Sequence, residues 1–195
     1  MLNHLSNGGV LIFQDEDLKL LYFFKNGDKE SFEALVKKHQ KKIINFVYKI
    51  LQNYEDACEI AQEVFFCAYK KINSFKGKAK FLTWLYSIAL NISRNHLKKS
   101  IKEKKLKANK LNEKANGDPL PLEYLQREEL KEKIFNTLNS LNNEHKEIII
   151  LKDMEELSYE EISYLLKIPE GTVKSRLARA RANFIEIFEK ISWRN

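Results

Sequence analysis

The stretch LSYEEISYLLKIPEGTVKSRLARARANF, residues 157–184, decides how the fold is read. Ser158 stands three residues before Glu161, the spacing at which a hydroxyl and a carboxylate cap each other's backbone amides and start a helix. That helix should end near Lys167. The residues IPEG then make a tight turn, and Pro169 is tolerated where a second helix begins. On a helical wheel Val173, Leu177, Ala180 and Phe184 share one side, with Ile187 and Ile191 continuing the stripe. Ser175, Ala178, Arg179 and Ala182 face the other way, and Thr172 lies near their edge. The four cations Lys174, Arg176, Arg179 and Arg181 meet no acid between Glu170 and Phe184. A short helix, a tight turn and a second helix with a cationic outer face make a helix-turn-helix, whose second helix enters the major groove. A solvated face favours long charged residues, whereas small residues set among selected cations let a helix lie deep in a groove. Arg179 is the expected base reader, because a guanidinium matches the paired acceptors of guanine. Ser175 and Ala178 would face base edges, with Lys174, Arg176 and Arg181 on the phosphate flanks. A membrane-surface helix would instead set its cations around bulky apolar residues.

The chain has 195 residues, enough for one or two domains with real cores. Lys and Arg number 34 against 27 acids, a net charge of +7. The surplus is segregated. Eleven cations stand against one acid between Asn73 and Lys110, and twelve acids against six cations between Glu123 and Glu170. Such asymmetry suggests surfaces facing different partners. Cys58 and Cys67 would sit on opposite sides of one helix, roughly 13 Å apart along its axis, which rules out a disulfide between them. Free cysteines suit a reducing cytoplasm. His4, His39, His96 and His145 form no metal-ligand pattern with them. The N-terminus lacks the basic region of a signal peptide, and no apolar run approaches the roughly 20 residues of a membrane span. No membrane insertion is expected.

Six glycines, three prolines and a period near 3.6 throughout predict an all-α protein. It should comprise two small helical domains joined by a flexible basic linker, the second containing the helix-turn-helix. A tail covers residues 1–14. The first domain, 15–100, should hold helices at about Asp15–Asn26, from the Asp28 cap to Leu51, at Tyr54–Ile72 and at Phe81–Ser100. Residues 101–122 change to a lysine-rich composition ending in turn formers, the mark of a linker. The second domain, 123–195, should begin with helices from about Leu122 to Asn139 and from Asn143 to Asp153.

Two further surfaces stand out. On the third helix Ala57, Ile60, Ala61, Val64, Phe65, Ala68, Tyr69 and Ile72 make the core stripe. Asp56, Glu59, Gln62, Glu63 and Phe66 lie opposite, where an aromatic ringed by polar residues marks a protein-binding site. The loop and fourth helix combine Phe75, Lys76, Lys78, Lys80, Phe81 and Trp84. Lysines follow phosphates, and a free aromatic ring stacks on an unpaired base for roughly 1–3 kcal/mol. Phe81 and Trp84 share the stripe of Leu85, Ile88 and Ile92 and read as core, which leaves Phe75 free to meet a base. Thr83, Ser87, Asn91, Arg94 and Lys98 form a polar strip able to follow a DNA strand, with Asn91 best suited to a base edge.

DACEIAQEVFFCAYKKINSFKGKAKFLTWLYSIALNISRNHLKK, residues 56–99, together with residues 157–184 strongly resembles the extracytoplasmic-function sigma factors of bacterial RNA polymerase. The resemblance spans both helical blocks, the earlier as the family's second conserved region and the later as its fourth. It implies that Asp56, Glu59, Gln62, Glu63 and Phe66 dock on the clamp helices of the polymerase's largest subunit. The flap of the second-largest subunit and promoter DNA are the other implied partners. It implies that the segment from Phe75 through Asn91, with Arg94 and Lys98, opens the downstream (−10) element. Thr172, Lys174, Ser175, Arg176, Ala178, Arg179 and Arg181 would serve the upstream (−35) element, and the linker would thread through the polymerase. Relatives are often restrained by anti-sigma proteins. The basic loop KGKAK departs from relatives that carry an acidic or hydroxyl residue after the glycine, and Ser87 and Leu90 replace frequent arginines. With no phosphate loop, no nucleophile–base pair and no metal cluster, neither an enzyme nor a cofactor is expected. The competing reading is a free-standing helix-turn-helix regulator that binds duplex DNA without polymerase.

Overall fold

A computed structural model describes residues 13, 15–106 and 122–193, with side chains through 100 and again from 129. Every regular element among the described residues is helical: α1 (Glu16–Lys25), α2 (Lys29–Leu51), α3 (Tyr54–Lys71), α4 (Phe81–Leu106), α5 (Leu122–Ser140), α6 (Asn143–Ile149), α7 (Tyr159–Leu166) and α8 (Glu170–Ser192). Apart from Phe13, the expected tail 1–14 lies outside the described residues. Of the expected linker 101–122, the first six residues extend α4 and Leu122 opens α5, while 107–121 lie outside the described residues. Two compact units form, and the boundary between them falls after Arg94, within α4.

The helices of the first unit start where side chains replace missing backbone partners. Asp15 accepts from the Asp17 amide at 2.8 Å. Gly27, at φ +103°, turns the chain where an L side chain would be strained. Asp28 then accepts from the Glu30 amide at 3.0 Å and the Ser31 hydroxyl at 2.6 Å, and α2 begins. Leu35, Ile43, Phe46 and Val47 of α2 are buried, as are Ala57, Ile60, Ala61 and Val64 of α3. The alanines let α2 and α3 approach closely. A buried polar tie joins α1 to α2: His39 Nε2 lies 2.9 Å from Asp17 Oδ2, and Lys38 Nζ 2.9 Å from Asp17 Oδ1. Burial pushes the Asp17 carboxyl up, but the hydrogen bonds from His39 and Lys38 outweigh it and hold the group below its ordinary value.

Several expectations about side chains are corrected here. Phe75 is not free in its loop but 6% exposed. A 3-10 turn at Ile72–Ser74 continues α3 and folds the chain back, so the Phe75 ring lies 5.6 Å from Phe81 and 5.3 Å from Trp84. Burying such a ring is worth about 2 kcal/mol, more than its exposure in a loop could return. Tyr69, expected in the core, is 45% exposed and packs its ring on Phe24 and Phe32. On α4 the buried side is Leu85, Tyr86, Ala89, Leu90 and Ser93, while Ile88 and Ile92 are half-buried and Thr83 is 1% exposed. The helix is therefore rolled by about 100°, one residue's turn, from the expected stripe. Phe75 from the loop covers part of Phe81 and Trp84, and Phe81 also meets the His39 ring of α2 at 5.8 Å, so these two residues spread the buried surface of α4 beyond a single stripe.

In the second unit α8 packs on α5 and α6. Leu138, Ile148, Ile149, Ile150, Leu151, Val173, Leu177 and Ala180 supply the buried apolar surface. The helix expected to run to Asp153 ends earlier, at Ile149, and widens into a π-type turn over Ile150–Met154, where the Glu155 amide reaches back to the Ile150 carbonyl at 2.9 Å. The capping box is present, with Ser158 N to Glu161 Oε2 at 2.9 Å and Glu161 N to Ser158 Oγ at 3.1 Å. Lys167 closes α7 in the left-handed conformation at φ 57°, and the Ser163 hydroxyl braces the turn by donating to the Ile168 carbonyl at 2.6 Å.

Lys146 is buried on α6 and donates to Asn139 Oδ1 at 2.6 Å. Burial pulls its pKa from 10.5 to about 8. Between these values the unfolded chain holds a proton that the folded chain has released, so this group makes stability rise with pH across the window. Denaturant titrations at pH 7.5 and 10 should show Lys146→Met flattening that rise by about 2 kcal/mol relative to the unaltered chain. For the loop, Phe75→Ala should cost about 3–4 kcal/mol in unfolding free energy, as a core truncation does. Lys76→Ala beside it should cost almost nothing, and equal stability of the two variants would contradict the burial of Phe75.

Candidate nucleic-acid and protein-binding surfaces

The geometry of α8 follows from its apolar stripe. Val173, Leu177 and Ala180 are at most 2% exposed, and they fix which residues point away from the unit. Lys174, Ser175, Ala178, Arg179, Arg181 and Ala182 are exposed, while Thr172 and Arg176 are half-buried. Their surroundings differ more than a wheel reveals. Arg179 Nε donates to the Ser175 carbonyl one turn back, at 3.3 Å, which lays its guanidinium along the outer face. Lys174 sits over the Tyr159 ring at 5.4 Å, and Lys152 over the same ring at 4.9 Å. Arg176 meets Glu144 in one contact of 3.3 Å. Arg181 is gripped by both oxygens of Asp153, Nε to Oδ2 at 3.0 Å and Nη2 to Oδ1. No sequence signal marked these two acids, because they lie 32 and 28 residues from the arginines they meet.

The basic loop stands over the aromatic cluster of Phe75, Phe81 and Trp84. Lys76, Lys78 and Lys80 are exposed around Gly77, whose φ of +67° places it where L side chains are strained. Lys25 Nζ reaches the Phe75 carbonyl at 3.4 Å and ties the loop to α1. Between α1 and the loop lies a cavity of about 320 Å³, lined by Leu18, Leu21, Tyr22, Lys25, Phe75, Lys76 and Gly77. The sequence reading missed it, although the spacing of positions 18, 21, 22 and 25 gives α1 one face. Farther along, Asn91 and Lys98 are exposed and Arg94 is half-buried. Thr83 is buried and drops out of the expected strip, and Ser87 is half-buried with its hydroxyl on the Trp84 carbonyl at 2.6 Å.

On α3, Phe66 is 59% exposed and Glu59, Gln62 and Glu63 surround it in solvent, with Asp56 half-buried. Lys70 Nζ lies 4.0 Å from the centre of the Phe66 ring. The ring thus stands in water held by one cation, a contact worth about 0.5–1 kcal/mol at such a site. Cys58 and Cys67 on the same helix are free. Among the described residues no group of His, Cys, Asp and Glu could hold a metal ion, and no helix is long and apolar enough to cross a membrane.

Family models match in both units: Sigma-70 region 2 over residues 35–102, and Sigma-70, region 4 over residues 131–184. The chain is 32% identical to the RNA polymerase sigma-H factor of Pseudomonas aeruginosa, over 88% of this chain and 93% of that one. It is 33% identical to the ECF RNA polymerase sigma-E factor of Escherichia coli, over 85% of this chain and 90% of that one. Two solved structures share the fold at 22% identity. CnrH in complex with the cytosolic domain of CnrY has a TM-score of 0.67 and covers 90% of this chain and 99% of its own. The sigma factor RpoE of Bartonella quintana, in complex with the anti-sigma factor NepR, has a TM-score of 0.64 over 82% and 98%. The chain belongs to the extracytoplasmic-function group of the sigma-70 family of RNA polymerase sigma factors.

Proposed function

We propose that the two domains, 15–100 and 123–195, divide promoter recognition between them while the chain itself catalyses no reaction and works in the cytoplasm. In this reading α8 lies in the major groove of the upstream element. Arg179 reads a guanine edge, Ser175 and Ala178 admit the helix to the groove floor, and Lys174 and Thr172 meet the backbone. Lys76, Lys78 and Lys80 draw in the downstream element and, with Asn91, Arg94 and Lys98, hold its parted strands. Phe75 supports that loop from beneath in place of stacking on a base itself. Asp56, Glu59, Gln62, Glu63 and Phe66 dock on the clamp helices of the largest polymerase subunit, and the second domain on the flap of the second-largest. Anti-sigma proteins such as NepR, which is bound to the Bartonella quintana structure, are the class of regulator to test.

One observation carries this reading: Ser175, Ala178 and Arg179 are exposed on a helix whose opposite stripe is sealed. The rival, a regulator that works without polymerase, leaves the exposed Phe66 unexplained. Run-off transcription with purified core polymerase tests the assignments. Arg179→Ala should lose about 1–3 kcal/mol of discrimination at one upstream base; equal weakening on every promoter would count against base reading. Phe66→Ala should weaken assembly with core enzyme while leaving the chain's melting temperature unchanged, and undiminished assembly would remove the docking face.

A further inference from the structure

We infer that Asp153 positions the recognition helix through Arg181, so that Arg181 is a strut inside the second unit and not a phosphate contact. The inference rests on the reading of α8 as the helix that enters the groove, and it concerns what keeps that helix aimed.

The apolar stripe of α8 is thin where the ion pair forms. Val173 and Leu177 offer branched side chains, but the next buried position, Ala180, presents a single methyl, and Phe184 one turn later is only half-buried. A methyl resists rotation of a helix about its own axis poorly. Arg181 stands beside Ala180 and supplies what the stripe lacks. Its planar fork meets both oxygens of Asp153, a geometry that fixes direction as well as distance. Arg176 lies on the opposite flank of α8 and meets Glu144, in the first turn of α6, by a single contact at 3.3 Å. The two ties run from opposite ends of the α6 segment to opposite flanks of α8, which opposes roll in both senses. The π-type turn is what brings Asp153 into place, since it widens the chain over Ile150–Met154 in front of the first helix of the motif.

Roll matters because base readout is unforgiving. At an outer radius of about 6 Å, a roll of about 10° carries an atom about 1 Å sideways. A two-pronged contact from Arg179 to guanine does not tolerate that displacement. Lys174 and Arg179, which have no acid partner among the described residues, remain to face the DNA.

The test compares holoenzymes carrying Asp153→Ala, Arg181→Ala, both together, and the exchange D153R/R181D. Affinities are measured across a salt series for a promoter and for a copy with one changed upstream base. Each single variant should lower the ratio of the two affinities roughly fivefold, the scale of coupling between touching side chains. The double variant should lose no more than either single one, the exchange should recover part of the ratio, and Arg181→Ala should leave the salt slope unchanged. A slope shallower by about 0.9 in Arg181→Ala, with the ratio intact, would make Arg181 a phosphate contact and overturn the strut. So would single variants that melt earlier yet keep the full ratio. Arg179→Ala in the same series separates the two layers of argument. If it spares the ratio, the groove assignment of α8 fails; if it cuts the ratio while Asp153→Ala does not, only the strut fails.

Discussion

The packing of Val173, Leu177 and Ala180 against α5 and α6 is the constraint on which the second unit depends. Those side chains leave water at roughly 25 cal/mol per Å² of apolar surface, and every other residue of α8 takes its direction from them. The exposed face needs no interaction of its own to be displayed. The buried side sets its general direction and leaves a residual roll, which is what the inferred Asp153–Arg181 strut would restrain. The Ser158–Glu161 caps and the left-handed Lys167 set where α7 begins and ends, so the turn delivers α8 at one angle to its partner.

The first unit applies the same logic to a loop. A buried trio of Phe75, Phe81 and Trp84 makes a floor, and three lysines stand above it in solvent. Apolar burial fixes the backbone, Lys25 ties the Phe75 carbonyl to α1, and the left-handed Gly77 turns the chain between the first two lysines. Charge is thereby concentrated without any charged group being buried. Lysines close together repel one another by a modest amount in water, and a rigid floor keeps that repulsion from unravelling the loop.

Much of this was legible in the sequence, for reasons that can be named. The helix-turn-helix was readable because its capping box, its turn proline and its stripe all lie within 28 consecutive residues, where local spacing suffices. The start of α2 was readable because Asp28 caps it. What failed was long-range. The roll of α4 depends on which neighbour covers Phe81 and Trp84, and no pattern within α4 says that a loop residue does so. The grip of Asp153 on Arg181 spans 28 residues and a π-type turn, and residues 150–154 carry no signal that distinguishes such a turn from ordinary helix. The cavity beside the loop needed α1 to be placed, and its tie to α2 runs through a buried Asp17–His39 pair that looks, in sequence, like two unrelated polar residues.

The separation of tasks around α8 has an evolutionary corollary. Positions 175, 178 and 179 contribute almost nothing to folding, so they are free to change with little thermodynamic penalty, while 173, 177 and 180 are pinned by the interior. On the proposed assignment of α8, a duplicated copy of this gene would diverge in the promoters it recognises much faster than in its architecture. If those three outward sites do read bases, paralogous chains in one cell should come to differ chiefly there, upon a shared and nearly invariant frame.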